Sequence, residues 1–376
     1  MKKIMTVRGP VDPEQIGVTM MHEHIVVDLS CNFVEPLEAS IRAQMHDPVT
    51  PDKLWLLRRR PFSVTLDNMV LGDEELAIDE VGYYWREGGE TIVDCTSIGI
   101  GRDPRTLYRV SRATNVHVVM GAGCYVENAH PEWVRDLDVD GLTQLFVHDV
   151  MVGAEGTNIR SGIIGEIGTT GVPRGSLEKQ GHITAEEEKV LRAAGRAAAE
   201  TGTAVSVHLD LRGHGAFRIV EILEDEGVPR DRMVMGHMDL VADLDYHREV
   251  AKLGVILEYD SLGREYYSEE LGLCWGHDVW RVDALATLVR EGFGDQLVLS
   301  QDIALKMDLR HYGGNGYAHV LASVVPMLRR ADVPEDAIHK MLIENPRRVL
   351  TVDWDEESLK TDAFNIRPRS LQGIAG

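Results

Sequence analysis

Two histidines, His22 and His24, stand one residue apart in the run MMHEHIVV near the start of a 376-residue chain. In an extended strand residues i and i+2 face the same way, so both imidazoles share a face and Glu23 takes the other. One histidine in an apolar strand is explained by packing and a single hydrogen-bond partner. Two on one face need more partners than a strand interior offers. Two neutral imidazoles converging on a point is the arrangement a divalent cation requires.

Four further residues of the same chemical kind close later β-type runs: Glu166, His208, His237 and Asp302. Four histidines and two carboxylates exceed what one tetrahedral zinc uses, and they fit two cations about 3.5–4 Å apart. Two divalent ions, two carboxylates and one hydroxide leave a small net positive charge. Such a centre polarises a carbonyl or phosphoryl oxygen while the hydroxide attacks. Asp302 is the catalytic candidate, able to bind a metal and accept the proton of the attacking water.

The elements that must bring these residues together are legible as eight apolar or β-branched runs. They are GVTMMHEHIVV (17–27), TIVDCTS (91–97), HVVMGAGCY (117–125), SGIIGEIGT (161–169), AVSVHLD (204–210), RMVMGHMD (232–239), GVILEYD (254–260) and QLVLSQD (296–302). The spacing leaves room for a crossover helix after each. Helical segments fall between them. TAEEEKVLRAAGRAAAETG opens on Thr184 with Glu187 three residues on and stops at Gly202. A second spans 213–227, and a third over 317–333 contains Pro326, which should kink it or loosen a turn. Eight such alternations predict a parallel (β/α)8 barrel, whose strand ends share one C-terminal mouth. A dinucleotide fold is disfavoured, because GIGRDP puts Pro104 where the third glycine of the phosphate loop should stand.

Composition narrows the partners. With 39 basic and 61 acidic residues the net charge is −22, which repels phosphate backbones and anionic membranes. A small-molecule substrate is expected, with no nucleic acid and no membrane. Cys31, Cys95, Cys124 and Cys274 are scattered and read as free thiols in a reducing cytosol. The opening lacks the apolar stretch of a signal peptide, and no window is apolar enough for a transmembrane helix, so a cytoplasmic location is expected. The chain reads as one domain over 1–350, with a lead-in over 1–16 and a tail over 351–376.

The ordered set TVRGPVDPEQIGVTMMHEHI, TIVDCTSIGIGRD, IIGEIGTT, VHLD, MGHMD, LSQDIALKMDLRHYGGNGYAHVLASVVPMLRR and MLIENPRRVL resembles the phosphotriesterase family of the amidohydrolase superfamily. The resemblance implies a binuclear metallohydrolase. His22, His24 and Asp302 would hold the more buried metal, and His208 and His237 the more exposed one. The bridging position falls on Glu166, where well-known members carry a carboxylated lysine. GEIG has no lysine, and Lys179 is thirteen residues on, so the chain resembles the glutamate-bridged branch. Zinc is the implied metal, with Mn, Co or Fe as alternatives, and a homodimer is the implied assembly. Tyr125 matches the position where lactonase relatives place a tyrosine near the substrate.

Arg212 and Arg264, in loops after the fifth and seventh runs, are candidates to grip an anionic substrate tail. The loop 304–314 is the expected pocket wall, with Lys306, Arg310 and His311 as weaker contacts. The leading expectation is a metal-activated hydroxide attacking an acyl carbon, most readily of a lactone or carboxylic ester. The alternative is an N-acyl amide of the amino acid or taurine type. Phosphotriester hydrolysis stands third, and a non-catalytic binding barrel last. No G-x-S-x-G elbow occurs, which argues against a serine hydrolase.

Overall fold

The structure is a computed structural model that describes residues 1–170, 183–211, 214–356 and 359. All eight expected runs form strands: β1 (Thr19–Glu23), β2 (Thr91–Asp94), β3 (His117–Ala122), β4 (Ile163–Gly168), β5 (Val205–His208), β6 (Met233–Met235), β7 (Ile256–Tyr259) and β8 (Leu297–Leu299). They pair in parallel and in chain order from β1 to β8 in one sheet. Among them run helices α1 (Glu74–Arg86), α2 (Pro104–Thr114), α3 (Val139–Met151), α4 (Ala185–Thr201), α5 (Ala216–Asp225), α6 (Leu244–Lys252), α7 (Asp278–Arg290) and α8 (Val325–Arg330). This is the (β/α)8 architecture.

Alternation along the strands splits the core into two apolar layers. Met21, Val93, Val119, Ile163, Val234, Ile256 and Val298 pack together as the barrel filling. Their neighbours Met20, Ile92, Val118, Ile164, Met235, Leu257 and Leu299 join the larger layer under the helices. Side chains at period two therefore serve both layers.

The first and last strands are tied by a side chain. Ser300 Oγ, Gln301 N–H and Gln301 Nε2 donate to Glu23 Oε1 at 2.7, 2.8 and 2.6 Å, and Ile303 N–H donates to Oε2 at 2.9 Å. Asp302 N–H donates to the His22 carbonyl at 3.2 Å. The Glu23 carboxylate thus supplies, across the seam between β1 and the segment after β8, the acceptors that a backbone ladder would otherwise provide. Burial pushes its carboxyl up to about 7 against these donors.

Local signals behave as their chemistry requires. Thr184 Oγ1 accepts from Glu187 N–H at 3.1 Å and Glu187 Oε2 accepts from Thr184 N–H at 3.2 Å, closing the capping box of α4. Gly202 ends that helix at φ 75°. Pro326 follows a π-helical turn over Val320–Val324, the loosened turn its missing N–H demands. At the other end, Lys2–Thr6 pairs with Gly9–Val11 and, through Lys2 and Lys3, with Val352–Asp353, so the start of the tail joins the lead-in in a small antiparallel sheet. No helix among the described residues is long and apolar enough to cross a membrane.

Candidate active site

The six residues singled out by type and spacing meet at the C-terminal mouth. The rings of His22 and His24 lie 5.5 Å apart. His24 Nε2 is 3.3 Å from Asp302 Oδ1 and 3.4 Å from Glu166 Oε1. His22 Nε2 is 3.4 Å from Glu166 Oε2, and His237 Nε2 is 3.6 Å from the same oxygen. His208 Nδ1 lies 2.9 Å from Glu166 Oε2 and 2.7 Å from His237 Nε2. Glu166 therefore stands between two groups, His22–His24–Asp302 and His208–His237, each close enough to share an ion.

Irregularities in the strands aim these residues. The register slips in β1 between Met20 and Glu23, and in β4 between Ile164 and Ile167. Simple alternation from the filling residues Met21 and Ile163 would turn His22 and Glu166 outward; a bulge re-aims a side chain. In β4 the irregularity uses Gly165 at φ 131°, where a Cβ would lie 2.2 Å from the Ser206 carbonyl oxygen. His237 and Asp302 themselves adopt left-handed backbone, at φ 57° and 50°. Such conformations persist only where surrounding contacts hold them. Asp260 Oδ2 holds the first by accepting His237 N–H at 2.8 Å.

Hydrogen bonds on the far ring nitrogens orient three of the imidazoles with their near nitrogens toward Glu166. Thr96 Oγ1 donates to the Val26 carbonyl at 2.9 Å, so it accepts from His24 Nδ1 at 2.9 Å. His22 Nδ1 faces Glu258 Oε2 at 3.1 Å, and His237 Nδ1 faces Asp260 Oδ1 at 2.9 Å. His22 Nε2 is buried and has no hydrogen-bond partner. The near nitrogens of three imidazoles thus converge on Glu166, the arrangement that metal-binding histidines with bonded far nitrogens take. His22, His237 and Asp260 also cluster, but through nitrogens already bonded to carboxylates. Asp260 therefore bonds the far nitrogens of the candidate ligands and does not face the point where they converge.

The field at this point favours positive charge. Burial alone would keep His237 neutral, yet Asp260 raises it to about 10. Burial likewise opposes a charge on His22, but Glu166 and Glu258 lift it well above the ordinary value. Burial works against ionising Glu166, and His22 and His208 nevertheless draw its carboxyl well below the usual range. Asp302 is held low against burial chiefly by Arg264. Buried imidazoles and carboxylates in this mixture are what two divalent cations would bind.

The cluster opens into a cavity of about 490 Å³. His24, Glu166, His208, His237 and Asp302 form its floor, and Tyr125 and Arg264 are in its walls. The Tyr125 ring meets the His208 ring edge-on with centroids 4.9 Å apart. Arg264 Nη1 hydrogen-bonds Asp302 Oδ2, its Nε donates to Tyr266 Oη at 3.0 Å, and the residue is 5% exposed. Arg212 lies outside the described residues, as does Lys179.

Other expectations are corrected. The loop 304–314 contributes only Ala304 to the cavity. Lys306 pairs with Asp67 at 2.5 Å, Arg310 with Asp79 at 2.7 Å, and His311 is exposed, its backbone N–H bonded to Glu80 Oε1 at 2.8 Å. These three anchor the loop to the β1–β2 connection. The apolar wall is instead Phe62 from that connection with Leu271, Leu273 and Trp275 after β7. Cys124, read as a free thiol, is one, buried in the core and away from the cavity lining.

The sequence reading missed Glu258, Asp260 and Thr96. A signal was present: Glu258 and Asp260 stand at i and i+2 in the apolar run ILEYD, the same spacing that exposed His22 and His24.

A (β/α)8 barrel with histidines and carboxylates gathered around one central carboxylate at its mouth defines a metal-dependent hydrolase. The profile of the phosphotriesterase family matches residues 2–350, and the chain belongs to that family. Its sequence is 38% identical over 355 residues to an N-acetyltaurine hydrolase of Tetraodon nigroviridis, spanning 93% of this chain and 98% of that protein. The crystal structure of a resiniferatoxin-binding protein from Rhodobacter sphaeroides matches with a TM-score of 0.88 and 38% identity, covering 93% of this chain and 94% of that one. A lactonase from Listeria monocytogenes matches with a TM-score of 0.74 and 28% identity, over 94% of this chain and 100% of the other.

Proposed function

We propose that the chain hydrolyses N-acyl amides whose amine half carries an anionic tail, of the taurine or amino acid type. The N-acyl amide alternative fits the named homologues better than the lactone or ester expectation, which it replaces. The observation that carries the proposal is Arg264, whose guanidinium sits in the cavity wall beside Asp302. Although Asp302 and Asp308 flank it, its remaining N–H groups give an anionic tail a charged donor to meet, which a neutral lactone has no use for.

His22, His24, Glu166, His208, His237 and Asp302 are the proposed ligands of two divalent cations. Zinc suits this mixture of imidazole and carboxylate, and Mn, Co or Fe are alternatives. When bound, the cations supply Lewis acidity toward the carbonyl oxygen and lower the pKa of the attacking water. Glu258, Asp260 and Thr96 fix the ring orientations through the far nitrogens. Arg264 holds Asp302 Oδ2 and leaves Oδ1 turned toward His24. Asp302 then takes the water proton and delivers it to the departing nitrogen, which amide cleavage requires. Tyr125, beside His208, flanks the scissile group. A homodimer in a reducing cytosol completes the proposal; the free cysteines fit that compartment.

The test is a panel of N-acetyltaurine, γ- and δ-lactones and paraoxon-like triesters on metal-loaded protein. The expected result is a kcat/KM for the amide at least about tenfold above the others, a difference of roughly 1.4 kcal/mol in transition-state binding. A lactone preferred by that margin overturns the proposal.

A further inference from the structure

Arg264 and the apolar wall occupy the same side of the mouth, and their adjacency constrains the substrate. The Arg264 guanidinium carbon lies 5.6 Å from the Trp275 ring centroid and 5.8 Å from that of Tyr266. Phe62 continues the wall with its ring 5.9 Å from Trp275, and Leu271 and Leu273 extend it. The wall is fixed in place: Phe62 N–H and Ser63 Oγ both donate to Glu270 Oε1 at 2.9 Å, and Trp275 N–H donates to the Tyr266 carbonyl at 3.0 Å. Arg264 spends Nη1 on Asp302 and Nε on Tyr266, with Asp308 Oδ2 3.8 Å from Nε, and of its three nitrogens Nη2 is the one not engaged by these groups.

An anion on Nη2 is thus next to an aromatic and aliphatic surface, so the charged group and an apolar group belong to the same half of the substrate. The hydrocarbon link of taurine is short and unbranched and would leave that surface bare. We infer that the preferred substrates are N-acetylated α-amino acids with a bulky apolar side chain, the α-carboxylate on Arg264 and the side chain against Phe62, Leu273 and Trp275. This rests on the amide-hydrolase reading above. Water gives its hydroxyl to the acyl carbon and a proton to the nitrogen as the C–N bond breaks. The products are acetate and the free amino acid, and no further reactant is needed.

Metal-loaded enzyme is assayed with N-acetyl-L-phenylalanine, N-acetyl-L-leucine, N-acetylglycine, N-acetyltaurine, the uncharged N-acetyl-L-phenylalaninamide and N-hexanoylglycine. Burying the side chain should raise kcat/KM for the phenylalanine and leucine derivatives over glycine by roughly ten- to hundredfold. The uncharged amide should fall about tenfold or more below its acid. Leu273→Asp, on the half-exposed rim, should compress the phenylalanine-to-glycine ratio to about threefold or less. Equal rates for phenylalanine and glycine derivatives, or a gain confined to N-hexanoylglycine, overturn the inference and leave the amide reading standing. If lactones alone are turned over, the amide reading fails. Competitive inhibition of that lactone turnover then decides the wall: L-phenylalanine binding no tighter than glycine overturns it, and tighter binding supports it.

Discussion

Asp260 grips His237 twice, accepting its ring Nδ1–H at 2.9 Å and its backbone N–H at 2.8 Å. One carboxylate therefore fixes both the tautomer and the left-handed backbone of a proposed ligand. Asp260→Asn keeps the shape but offers an amide where one of the two donors needs an acceptor. Outer partners of this kind typically set 10- to 100-fold in metal affinity, so a loss of about that size is expected. Competition with a graded chelator reads it directly. Unchanged metal retention in the variant would remove Asp260 from the role assigned to it.

Glu166 lies between the two ligand groups, with Oε1 toward His24 and Oε2 toward His22, His208 and His237. Glu166→Gln removes the negative charge and one of the two acceptor oxygens. The metal content, about two per chain in the parent on the binuclear reading, should fall toward one. Turnover should fall by about a hundredfold or more, since the remaining ion lacks its partner. Elemental analysis of dialysed protein decides it, and a count unaffected by the substitution would rule out a bridge.

The barrel was legible because its strands are short apolar runs closed by polar residues, a pattern that survives without tertiary context. The gathering of the six candidate residues was legible for the same reason: Glu166, His208, His237 and Asp302 stand toward the ends of such runs, His22 and His24 share one, and a common mouth follows from the fold. Glu23 was assigned the opposite face correctly, yet its task of tying β1 to the segment after β8 depends on a closure that no local pattern encodes. Arg264 was recognised as a cation near the pocket. Its bond to Asp302 joins residues 38 positions apart, so only the folded chain shows it. Lys306, Arg310 and His311 misled because a charged loop at a barrel mouth reads the same whether it faces the substrate or its neighbouring loop. The apolar wall escaped notice because Phe62 and Trp275 come from connections without periodicity.

His247 is held neutral in α6 by two fixed partners. Its Nε2 faces the Val241 carbonyl at 2.9 Å and so must donate, which leaves Nδ1 to accept from Tyr259 Oη at 2.6 Å. Burial, the dominant cause, lowers its pKa to about 4. The unfolded chain protonates near 6.5 and the folded chain not until about 4, so the unfolded state binds the extra proton in that window. Stability is complete above pH 6.5 and declines as pH falls toward 4, by a contribution on the order of 3 kcal/mol. Urea titrations at pH 7.5, 6, 5 and 4.5 on the parent and His247→Gln should show a steeper decline in the parent. Parallel slopes would discard this assignment.

Arg264 lines the cavity and holds Asp302 through Nη1, with Nη2 the nitrogen proposed to meet the substrate. Lysine keeps the charge but is a single point donor, unable to span both. Arg264→Lys should therefore retain the fold, because the ammonium can still meet Asp302. It should lose the preference for an anionic tail. The ratio of kcat/KM for N-acetyl-L-phenylalanine to that for its uncharged amide is expected to shrink by about tenfold, the worth of one charge-assisted hydrogen bond. The loss should fall on KM for the anionic substrate more than on kcat, since the tail is bound in the ground state and in the transition state alike. If kcat falls equally for both substrates and their ratio stays fixed, Arg264 acts through Asp302 alone, and the anionic tail must be gripped elsewhere.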